Sequence, residues 1–126
     1  MSSWTHINLA VEVTVPSQTS RQAVKDQVLA KLEWLPQISG SEGDAEIFVN
    51  VPRKHDMTSD MGEEYLWSKA YITVMGHLRD RTKEQTEKET KGFIKGLKRE
   101  FSYIRNLSWK VYGDDEPSFF RGLDGD

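Results

Sequence analysis

Two histidines, His6 and His77, and the stretch "HLRDRT" that begins at the second of them are the residues whose types invite chemistry. Imidazole is the side chain whose free form titrates nearest neutral pH, so a pair can serve as general base and general acid, for example on a phosphodiester. Arg79 and Arg81 carry planar, always-charged donors that match phosphate and carboxylate. Thr82 opens a helical pattern, and a helix N-terminus offers free N–H groups and partial positive charge. His6, His77, Arg79, Arg81 and Thr82 therefore form a candidate site for a small anionic, nucleotide-like ligand. His6 and His77 are the catalytic candidates if the chain is an enzyme.

These residues lie far apart in the chain, so the elements between them decide whether they meet. From Trp4 to Val15, Ile7, Leu9, Val11, Val13 and Val15 alternate with His6, Asn8, Ala10, Glu12 and Thr14. A period of two marks a strand with one buried face, and Pro16 ends it. Ser17, Thr19 and Ser20 are possible N-caps for a helix that buries Val24, Val28, Leu32 and Leu35 and stops at Pro36. "SGSEGD" reads as a loop. Ala45, Ile47, Val49 and Val51 alternate with Glu46, Phe48 and Asn50 in a second strand. A polar loop, "PRKHDMTSDMGEE", leads to a third strand from Tyr65 to Leu78, with Leu66, Ser68, Ala70, Ile72 and Val74 inward. A second helix runs from Thr82 to about Phe101 and buries Phe93, Ile94, Leu97 and Phe101. A last strand spans about Ile104 to Tyr112.

The order β-α-β-β-α-β leads to an α+β fold, a ferredoxin-like sandwich with a four-stranded antiparallel sheet in the order 4-1-3-2 and both helices on one face. In that arrangement the first and third strands are adjacent and antiparallel. His6 then falls opposite His77, because that register also puts Leu9 against Val74 and Val11 against Ile72. Thr82 and Gln85 match a capping box, and Glu84–Lys88 and Glu87–Lys91 are favourable i,i+4 pairs. Thr82, Thr86 and Thr90 make a polar stripe, so the first turns of this helix read as a solvated lip beyond the sheet edge.

The side of the sheet away from the helices should carry Trp4, Phe48, Trp67, Tyr71, Met75 and Tyr112. A contiguous exposed apolar patch marks an interface. The expected partner is a second copy of the chain, in a homodimer or higher oligomer, or another protein. RNA-recognition motifs stack bases on the equivalent face, but their third strand carries a basic residue, a glycine and alternating aromatics, and "WSKAYITVM" lacks most of these. The histidine pair resembles that of the two-histidine phosphoesterases, whose motif is His-x-Ser/Thr. The triplets here are His6–Ile7–Asn8 and His77–Leu78–Arg79, without the hydroxyl.

Composition bounds the remaining possibilities. A chain of 126 residues with 37% hydrophobic content supports one core, expected over residues 1–113 with an acidic tail at 114–126. There is no cysteine, which excludes disulfides, thiolate metal sites and a cysteine nucleophile. The formal net charge of -3 disfavours nucleic acid and anionic membrane as partners. The alternating N-terminus is no signal peptide, so a cytoplasmic protein is expected. His55, Asp56, Asp60, Glu63 and Glu64 share one loop at spacings that fit no metal site, and neither metal nor cofactor is expected. In the tail, Phe119, Phe120 and Leu123 read as a strap onto the domain or a docking motif. The leading expectation is a non-enzymatic binding module, homo-oligomeric, that binds or sequesters its target, possibly inhibiting it. The alternative is a two-histidine phosphodiesterase-like hydrolase using His6 and His77.

Overall fold

The computed structural model describes residues 4–16, 20–52 and 67–113. Its elements are β1 (Trp4–Pro16), α1 (Arg21–Leu32), β2 (Ser39–Gly40), β3 (Gly43–Asp44), β4 (Glu46–Asn50), β5 (Trp67–Arg79), α2 (Lys83–Glu100) and β6 (Tyr103–Gly113). The fold is α+β: the described residues form two helices and a four-stranded antiparallel sheet in the order β4-β5-β1-β6. A second, two-stranded sheet pairs β2 with β3. It occupies the segment whose glycines, serines and acids read as a plain loop. The hairpin is held from outside as well as within: Ala45 N–H donates to Ile38 O at 2.7 Å, and Ser41 N–H donates to Arg79 O at 3.0 Å. Gly40 lies so close to the backbone of Leu78 and Arg79 that a Cβ there would sit 2.9 Å from Arg79 N.

Alternation governs the sheet as its sequence implies. Ile7, Leu9, Val11, Val13 and Val15 of β1 are buried, as are Ala70, Ile72, Val74 and Leu78 of β5. They join Val24, Val28, Phe93, Ile94 and Leu97 in one core cluster, which places both helices against the same side of the sheet. Ser20 caps α1, its Oγ accepting from Ala23 N–H at 3.1 Å. Leu35 lies beyond the helix end yet is buried against Gly96 of α2, where an added Cβ would meet Leu35 Cδ2 at 2.6 Å. β6 carries a register shift opposite Ala10 and Glu12, with Asn106 at φ 54. Asparagine tolerates that left-handed conformation better than most side chains.

The start of α2 corrects the reading of a solvated lip. Thr86 and Thr90 are completely buried. With Phe93, Ile94, Leu97 and Phe101 they fall at helical spacing along one inward stripe. Threonine can line a core because its γ-methyl packs like valine while its hydroxyl bonds locally. Thr90 Oγ1 donates to Thr86 O at 2.8 Å, whereas Thr86 Oγ1 has no hydrogen-bond partner among the described residues.

Candidate functional site

β1 and β5 pair antiparallel with His6 directly opposite His77, one of the registers that the hydrophobic parity allows. β6 pairs on the other side of β1 and sets Tyr112 opposite His6. Three rings thus cross three strands in one row on the face away from the helices. The His6 and His77 rings meet edge-on, with centroids 4.7 Å apart and planes at 76°. Tyr112 lies 5.0 Å from His6 at 35°. His6 Nδ1 and His77 Nδ1 are 2.6 Å apart. Such a contact needs one nitrogen as donor and the other as acceptor, so a neutral pair must hold two different tautomers. The pair is built to share one proton. To bracket even one substrate oxygen by two hydrogen bonds, the nitrogens must stand roughly 4.5 Å apart. Among the described residues there is no group of three side chains able to hold a metal ion.

The other three candidate residues gather nearby but face their own neighbours. Arg79 NH1 donates to Glu42 Oε1 at 3.0 Å, and its Nε lies 3.9 Å from Asp80 Oδ2. Asp80 also accepts from Ser41 Oγ at 3.0 Å, from a backbone at φ 59. Arg81 turns the other way: its Nε donates to Ser39 O at 2.9 Å and its NH2 lies 3.8 Å from Glu89. Glu89 in turn accepts from Ser39 N–H at 2.9 Å. Thr82 caps α2 within a complete capping box, its Oγ1 accepting from Gln85 N–H while Gln85 Oε1 accepts from Thr82 N–H. The basic cluster therefore fastens the β2–β3 hairpin to the end of β5 and the start of α2. Sequence reasoning missed this because the hairpin itself was not visible; Glu42 in "SGSEGD" was the available clue.

The open face shows a second set. Phe48 and Trp67 are 52% exposed, Met75 48% and Tyr71 39%, while Trp4 and Tyr112 are half-buried. Tyr103, which the sequence reading passed over, joins the exposed group. The centre of this face is less open. Glu12, in register between Tyr71 and Arg105, and Lys110, opposite Asn8, are both buried. Glu12 Oε2 finds no hydrogen-bond partner among the described residues. The polar loop holding His55, Asp56, Asp60, Glu63 and Glu64, and the tail holding Phe119, Phe120 and Leu123, lie outside the described residues.

No family model, no curated protein and no solved structure matches this chain. Among the described residues no helix is long and apolar enough to cross a membrane.

Proposed function

We propose that the protein is a non-enzymatic binding module, a ferredoxin-like sandwich with an inserted hairpin, that pairs with a second copy of itself through the open face of its sheet. The carrying observation is the exposure of Phe48, Trp67, Tyr71 and Met75 on the side that neither helix covers. Scattered apolar residues on a surface are ordinary, but large ones sharing one sheet face mark an interface. Size agrees. Strands of this length at ordinary spacings present roughly 500–800 Å² on one face, near the roughly 800 Å² that each partner contributes to a standard interface. Glu12 Oε2, buried and without a hydrogen-bond partner among the described residues, is an acceptor that an incoming donor would satisfy.

An anionic ligand held by His6, His77, Arg79, Arg81 and Thr82 is the weaker part of the reading. Both arginines and the helix cap already have partners within the chain. A hydrolase reading rests on the histidine pair, which would have to separate before it could take a phosphate between its rings. Light scattering coupled to size-exclusion chromatography tests the proposal. A dimer at micromolar concentration that becomes monomeric in Tyr71→Asp and Phe48→Lys supports it. A wild-type monomer at high micromolar concentration overturns it.

A further inference from the structure

On the helix side of the sheet, away from the proposed interface, lies a cavity of about 350 Å³. Its floor is the protein core: Val74 of β5 and Phe93 of α2, with Leu32 and Leu35 as walls, all buried. Its mouth is formed by Leu29 and Ile47, apolar side chains left 37% and 38% exposed. Protein interiors are packed to crystal density and leave few voids larger than a water molecule, because each lost contact is lost dispersion energy. An opening of this volume into the core of so short a chain lies within the roughly 300–1,000 Å³ typical of small-molecule sites.

The polar part of the lining has one sign. Glu33 and Asp44 supply two carboxylates and Gln37 an amide, and among the described residues no lysine, arginine or histidine borders the cavity. Neither carboxylate makes an ion pair among the described residues. Apolar walls below and unpaired acids at the rim select a molecule with a hydrophobic body and a cationic head. The geometry points to a binding site for a small hydrophobic amine, its aryl or alkyl body against Val74 and Phe93 and its ammonium between Glu33 and Asp44. Benzene fills an engineered cavity of about 150 Å³, so this one accommodates a ring and a short tail. The site depends on neither the histidine pair nor the sheet face, so it stands or falls independently of self-association.

Three probes sharing one phenylethyl body separate the terms: 2-phenylethylamine, 2-phenylethanol and 3-phenylpropionate, titrated into the full-length protein and followed by methyl NMR. The amine is expected to shift the methyls of Leu29, Leu35, Ile47 and Val74 saturably while leaving Met75 on the open face unmoved. Exposed ion pairs reach at most about 1 kcal/mol each, so the amine should bind about three- to tenfold tighter than the alcohol, and the carboxylate weakest. Glu33→Gln with Asp44→Asn should reduce the amine to the alcohol's affinity. Leu29→Trp, at a half-exposed position, should close the mouth and abolish saturable shifts without lowering Tm. No saturable shift with the amine at millimolar concentration overturns the proposal. So does equal binding of amine and carboxylate, or undiminished binding to a Leu29→Trp variant of normal Tm.

Discussion

The two sides of the sheet are made by the same strands, read one residue out of step, yet they obey different rules. The inner side, Ile7 to Val15 and Ala70 to Leu78, is covered by two helices and takes in even threonine, whether its hydroxyl bonds along the helix, as in Thr90, or finds no partner among the described residues, as in Thr86. The outer side leaves five large apolar side chains, Phe48, Trp67, Tyr71, Met75 and Tyr103, in water. The contrast shows that polarity by residue name is a poor guide here. Thr86 and Thr90 are core, and Phe48 and Trp67 are surface.

That contrast can be broken most forcefully from within. Phe93→Ala removes a buried ring at the floor of the cavity and should destabilise the fold by about 3–5 kcal/mol, measured by urea denaturation. If it costs under 1 kcal/mol, the inner side is not the core described. The matching change outside, Trp67→Ser, should alter monomer stability by no more than about 0.5 kcal/mol while weakening self-association. Between these lies the pair of buried threonines. Thr86→Val replaces an unsatisfied hydroxyl by a methyl and should stabilise the protein by about 1 kcal/mol. Thr90→Val deletes a hydrogen bond and should be neutral or destabilising by a similar amount. Equal effects at the two positions would show that the orphan hydroxyl does not exist. The smallest expected signal is spectroscopic. Imidazole ¹⁵N shifts of the neutral protein should find one of His6 and His77 as the Nδ1–H tautomer and the other as Nε2–H, and identical tautomers would contradict their contact.

The pairing of His6 with His77 was legible in the sequence because two constraints coincided, whereas Tyr112 beside His6 was not read there. Antiparallel pairing fixed the direction, and the apolar parity of Leu9 with Val74 fixed the register to within steps of two. The arginines were not legible in the same way. Their partners, Ser39 and Glu42, sit in a hairpin whose two-residue strands have no hydrophobic period to detect. Thr86 and Thr90 were misread because a pattern that counts only large apolar residues passes over a β-branched methyl. The cavity escaped notice since Leu29, Ile47 and Phe93 each look like ordinary core, and sequence carries no record of the volume that packing leaves unfilled.

The kink at Asn106 has one more consequence. β6 is the outermost of the described strands on its side, eleven residues long, and a straight outer rim would be a template for another chain's backbone. The inserted residue twists that rim and interrupts its row of donors and acceptors. Growth of the sheet sideways into fibrils is thereby discouraged, and association is directed to the flat of the sheet instead.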